Sequence, residues 1–275
     1  MINLFSGELY KLQKSKSIYI CCITMIAFVL LLYGAFATAE KIQQGELENG
    51  SYGFEVDAEA NHGGNSVWEE VSMLEVVQTM FVGIGGIISA IFISIFVFGE
   101  YANGAVKNVT GKGYSRWKIF SIKYIATILA ALLMLIIMIV AVLIAEILFV
   151  GTGRFNSELF SNLVSYASMQ LLLATAFGGI VIVINQFCRN LGAGIAISVC
   201  LIMFSTIITA GLDIALRYFE LDIKASDYWI VDLINNCPLN EIDSAYATRA
   251  IISSIIWIIV TFIIGNVHFQ KTDIK

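Results

Sequence analysis

Six long apolar runs constrain this chain more than any other feature: residues 17–38, 76–98, 120–149, 163–187, 191–216 and 250–268. A bilayer core about 30 Å thick is crossed by roughly 20 apolar residues in a helix, and each backbone group must find its partner inside that helix. Every run is near or above that length. The third is the longest and is predicted to tilt or to extend beyond the bilayer. The chain is 58% hydrophobic and 13% charged, whereas soluble domains carry about 25% charged residues. A single proline in 275 residues leaves no Pro-rich linker. The sequence therefore predicts an all-α integral membrane protein, residues 1–275 forming one transmembrane domain. The first run is expected to be retained, because it is about 22 residues long and no small-residue cleavage site follows it.

Charge sorts the loops. The N-terminus, the segment between runs two and three, the turn between four and five and the C-terminus hold 3, 5, 1 and 2 Lys/Arg, with Lys123 counted in the second group. Only Glu8, Glu100 and Asp273 oppose them. The other side holds Lys41, Arg154, Arg217, Lys224, Arg249 and the remaining 18 acids. The positive-inside rule thus places both termini in the cytoplasm. Trp68 and Trp229 are expected at the outer interface and Trp117 at the inner one.

Residues 1–16 repeat Ile2, Phe5, Leu9 and Leu12 at helical spacing, which predicts an amphipathic helix on the inner membrane surface. A cytoplasmic overhang of the first span is the alternative. The outer loop 39–75 is acidic and Gly-rich, a solvated face or a lure for cations. The second outer segment, 217–249, carries an apolar patch from Tyr228 to Ile234. A short helix dipping into the outer leaflet would bury that patch and leave Asp222, Asp232 and Asp243 wet. Gly83, Gly85 and Gly86 predict a bend or a subunit contact in the second span. Gly178-Gly179 and Gly192-x-Gly194 predict close packing near the turn joining spans four and five, with Arg189 anchoring that turn.

Several chemistries are absent. No Cys/His cluster has zinc spacing, His62 and His268 are far apart, and one outer thiol, Cys237, has no outer partner for a disulfide. Glu69-Glu70 lacks the Arg and intramembrane His residues that a membrane metalloprotease needs, and no Gly-x-Ser-x-Gly is present. No phosphate-binding loop occurs, so ATP binding by this chain alone is not expected; no cofactor and no metal site is predicted. Glu146, near the outer end of span three, and Gln170, in span four, are the candidate residues of a substrate path, because polar groups at membrane depth are costly. Interface marking by Glu146 and helix-to-helix hydrogen bonding by Gln170, Asn185 and Gln186 are the structural alternatives.

The stretch after the second run is the most informative. Glu100, Gly104 and Lys107 share one face of a helix leaving the membrane. Gly111 and Gly113 would break that helix, and Ser115 would cap the next. Phe98-x-Glu100-x-x-x-Gly104-x-x-Lys107, followed by Ser115-Arg116 and Lys123, resembles ABC-2-type transporter permeases, most closely small bacterial permeases of peptide-antibiotic export and immunity systems. Ala105 stands where that family often has Thr, and Gly113 where it often has Pro. The layout resembles that family over the whole chain, but the motif covers only about 26 residues. The resemblance implies a type V exporter-like domain in a bacterial plasma membrane, working as a dimer with a second copy or a paralogue. It implies that segment 99–119, through Glu100, Gly104, Lys107, Ser115, Arg116 and Lys118, couples to a separate P-loop ATPase that holds ATP and Mg. It further implies export of, or immunity to, a peptide or antibiotic-like substrate. Two other classes stay open: a membrane sensor or scaffold for a cationic peptide, and an intramembrane enzyme. No nucleic-acid partner is expected.

Overall fold

The computed structural model describes residues 2–49, 73–102, 114–151, 157–188, 190–219, 223–239 and 242–271. The described residues form α1 (Ile2–Lys14), α2 (Lys16–Asn49), α3 (Met73–Thr79), a π-helical turn (Met80–Gly85), α4 (Gly86–Ala102), α5 (Arg116–Phe149), α6 (Ser157–Phe187), α7 (Leu191–Tyr218), a 3₁₀ turn (Ala225–Asp227), α8 (Ile230–Asn235) and α9 (Ser244–Lys271). Six of the helical stretches are long and apolar enough to cross a membrane: α2, the α3–α4 unit, α5, α6, α7 and α9.

Helix α5 carries one buried and one exposed face. Ala126, Ala130, Met134, Met138 and Val142 recur every fourth residue and are buried, so they make one stripe against the other helices. Ile125, Leu129, Leu133, Ile136 and Ile144 lie on the exposed surface. Both faces are apolar, as a helix between protein and lipid requires. Helices α2, α6 and α9 all pack on α5, and α9 lies along α6. The spans differ in burial: 56% of the second span's most apolar window is buried, against 17% of the fifth's.

Small residues set the closest approaches. A Cβ at Gly179 would run into the Tyr124 hydroxyl and Thr261 Oγ1, and one at Gly265 would meet Phe120. The tight packing at Gly179 is therefore with spans three and six; Gly194 alone packs at the turn between spans four and five, against Asn185. The π turn falls on the glycines expected to bend the second span. There the Met80 carbonyl stands 2.8 Å from where a Gly85 Cβ would be, a position only glycine fills without displacement. Such turns are rare and concentrate at functional sites.

Helix α1 packs on α5 with Leu12 buried and Phe5 and Leu9 partly buried against the core. Glu8 is buried as well and bonds Lys11 Nζ at 2.8 Å. Trp117 is exposed, but Trp229 is partly buried and packs edge-on against Trp257 with ring centres 5.1 Å apart. Trp68 and Arg189 lie outside the described residues.

Candidate functional site: the α8 seat and the Arg116 end

Helix α8 has only six residues, so most of its carbonyls have no partner within it. Packed among the spans, with Ile230 to Leu233 buried, the helix has little water to satisfy them. Side chains from three spans do so instead. Gln78 of α3 donates to the Asn235 carbonyl at 3.3 Å. Gln170 of α6 donates to the Ile234 carbonyl at 2.9 Å. Tyr246 of α9 donates to the Leu233 carbonyl at 2.6 Å. The segment leading into α8 is held too. Asp213 of α7 accepts from the backbone N–H of Ala225 and from the Ser226 hydroxyl, and Arg249 of α9 pairs with Asp227 at 3.0 Å.

Within the apolar patch, Ile230, Val231 and Leu233 are buried inside the protein, Trp229 and Ile234 are partly buried, and Tyr228 is exposed. Asp232 is a correction. It was expected to stay wet, and Asp243 does, but Asp232 is 2% exposed and neither carboxylate oxygen has a hydrogen-bond partner among the described residues. Successive side chains rotate by about 100° around a helix. A six-residue helix enclosed by several spans has no side left to face water. Asp222 lies outside the described residues. Cys237, just after α8, is buried, and burial pushes its thiol above the ordinary range.

Gln170 is fully buried and places both amide hydrogens, one on Ile234 O and one on Tyr166 Oη, each at 2.9 Å. The structural role expected of it, a bond across elements, is therefore present. Its Oε1 has no partner among the described residues, and Gln170 is one of the residues around a cavity of about 40 Å³. The walls come from the π turn (Phe81, Val82), α4, α5, α6 and α7, with Val231, Ile234 and Asn235 of α8 on one side.

Glu146 is in a different place. It is 2% exposed and accepts from Tyr33 Oη of α2 at 2.7 Å. Its backbone carbonyl also ends α5, accepting from Val150 and Gly151 N–H, the latter at a φ of 97°. Glu146 does not line the cavity that holds Gln170, so the two candidate path residues share neither a partner nor this cavity among the described residues. Asn185 does bond across helices, reaching Ser198 Oγ of α7 at 3.4 Å.

At the opposite end of α5, Arg116 Nη1 donates to the Gln270 carbonyl in the last turn of α9 at 2.9 Å. That bond fills one of the orphan carbonyls of α9 and places a cation at a helix C-terminus. Lys118 is exposed. Ser115 occupies the N-cap position of α5 with extended backbone angles, as expected, but its side chain makes no capping bond; its carbonyl accepts the first bond of the helix, from Ile119 N–H at 3.2 Å. Lys123 is buried rather than exposed and lines a small cavity with Gln186 and Tyr124. Glu100 lies in the last turn of α4, but its side chain is not described; Gly104 and Lys107 lie outside the described residues.

Sequence reasoning singled out Gln170 and Arg116 but missed Gln78, Tyr246, Tyr33 and Asp213. The signal was available for most of them. Each is a polar group in an apolar helix, and such groups take partners.

The comparisons with known proteins agree with this architecture. No curated protein matches the chain. The family model described as ABC-2 family transporter protein matches residues 2–274, nearly the whole length. The chain is thus a multi-pass membrane protein that belongs to the ABC-2 transporter family.

Proposed function

We propose that this chain is the permease subunit of an ATP-driven exporter whose ATPase is a separate protein, and that it exports, or confers immunity to, a peptide or antibiotic-like substrate. The Arg116 end faces the cytoplasm in this reading and the α8 end faces outward, as the loop charges favour. Membrane of residence is the bacterial plasma membrane. The engine docks on segment 99–119, with Glu100, Gly104, Lys107, Ser115, Arg116 and Lys118 as its contact and transmission residues. ATP and Mg sit on the engine. A second permease, identical or paralogous, completes the pathway, and lipid covers the remaining apolar surface.

One observation carries this reading: α9 is tied at both ends. Arg116, at the edge of the docking segment, holds its last turn through Gln270 O at 2.9 Å, and Tyr246, near its start, holds α8 through Leu233 O at 2.6 Å. Between them Thr261 bonds Tyr124 at 3.0 Å and Gly265 seats α9 on Phe120. A helix is stiff along its axis, so a push on Arg116 reaches α8 without a soft joint. That is the requirement for a motor on one side to open a seal on the other. The acidic outer loops favour a cationic substrate.

The test is a tagged pull-down from native membranes solubilised in mild detergent, with mass spectrometry of the co-purifying chains. A P-loop ATPase in stoichiometric amount is expected. Its reproducible absence would move the reading to a sensor or scaffold. Export by reconstituted complex, lost in Glu100→Ala with normal membrane insertion, is the functional counterpart.

A further inference from the structure

We propose that the cavity beneath α8 is a water-binding site, in which Ser89 Oγ and Gln170 Oε1 hold two or three water molecules inside the membrane-spanning core. Four observations lead there. The cavity measures about 40 Å³, and a bound water needs roughly 10–15 Å³ by the same measure. Ser89 of α4 and Gln170 of α6 both line it, at 4% and 0% exposure. Ser89 Oγ and Gln170 Oε1 are both without a hydrogen-bond partner among the described residues. Finally, the orientation of the Gln170 amide is fixed. Its nitrogen lies 2.9 Å from the Ile234 carbonyl, which only accepts, so a flip would set oxygen against oxygen. The orphan atom is therefore the acceptor.

A buried amide oxygen and a buried hydroxyl left unpaired in an apolar medium each carry a large desolvation cost. Water satisfies both at once: it donates to Gln170 Oε1 and either donates to or accepts from Ser89 Oγ. A bound cation is disfavoured, because the other walls are almost wholly apolar, among them Phe81, Ile93, Leu135 and Phe177.

The site gives α8 a releasable seat. Lifting α8 would strand the Gln170 amide and the Ile234 carbonyl, and water already in the cavity supplies replacement partners. This last step rests on the export reading; the water site itself does not.

Two measurements on the full chain in lipid nanodiscs test it. A high-resolution cryo-EM map is expected to show density within hydrogen-bond distance of both Ser89 Oγ and Gln170 Oε1. Thermal melting of Ser89→Ala and Ser89→Val gives the sign. In a wet cavity both variants melt lower than wild type, Ser89→Val more so, because its methyl groups displace water and leave Gln170 Oε1 unpaired. In a dry cavity both remove an unsatisfied hydroxyl, Ser89→Val also fills a void, and melting stays level or rises. Level or raised melting without density overturns the site. Where the two measurements disagree, or a variant fails to fold, the wild-type map decides: density supports the site and an empty cavity overturns it.

Discussion

The two ends of the bundle are built differently. At the α8 end, side chains of α3, α6, α7 and α9 converge on one short segment, four of their contacts being Gln78 to Asn235 O, Gln170 to Ile234 O, Tyr246 to Leu233 O and Arg249 to Asp227. At the other end, Arg116 donates to Gln270 O in a solvent-exposed bond, beside a ring cluster in which Phe120 of α5 meets Phe262 and Phe269 of α9. Buried hydrogen bonds to backbone carbonyls are costly to lose, because the carbonyl left behind has no water. An exposed one is replaced by solvent. The α8 end is thus held by polar bonds to its backbone, most of them wholly or partly buried, whereas the other end is held by buried rings with one exposed bond at its edge. On the export reading proposed above, the first end would serve as a seal and the second as a handle.

The contrast can be broken first at the shaft between the ends. Gly179→Leu drives a side chain into Tyr124 and Thr261, which bond each other at 3.0 Å. Overpacking combined with a lost buried bond is expected to cost about 3 kcal/mol or more. Melting in detergent, followed by size-exclusion chromatography, should show an early loss of the folded peak. Wild-type melting would mean that α6 and α9 do not meet this closely. Next comes Gln170→Leu, which removes the bonds to Tyr166 and Ile234 O and should destabilise by about 1–3 kcal/mol. Tyr246→Phe removes a single bond to Leu233 O and should cost about 0.5–1.5 kcal/mol. If both clamp variants melt like wild type, α8 is held by apolar packing alone and the described contrast between the ends fails.

Much of this fold was legible in the sequence, because length and hydropathy are local properties. The apolar patch from Tyr228 to Ile234 announced α8, and Gly83-x-Gly85-Gly86 announced the irregular second span. What was not legible depends on which side chains meet. Nothing in sequence spacing pairs Tyr33 with Glu146, 113 positions away, or Gln78 with Asn235, 157 away. Asp232 misled for a related reason: an acid beside a turn reads as wet until the enclosing helices are known. Arg116 was found through a motif rather than through geometry, and its partner carbonyl on α9 could not be inferred from it.

The smallest stability effect is the most informative one. Arg116 donates to Gln270 O from an exposed position, so Arg116→Glu is expected to leave the melting temperature and membrane insertion unchanged. Reversing the charge nevertheless removes the donor and sets a carboxylate against the C-terminal carbonyls of α9, an unfavourable pairing with the helix dipole. If Arg116 is the handle, ATP-dependent transport in reconstituted vesicles should fall to background, with the ATPase still bound and turning over unproductively. Arg116→Lys keeps a cation at the helix end and should retain part of the transport. Full transport by Arg116→Glu would separate the two ends of the bundle mechanically: α8 would then be a static structural brace, and the force of the engine would enter the membrane elsewhere. Loss of transport together with loss of ATPase binding would instead make Arg116 a docking residue, and its bond to α9 incidental.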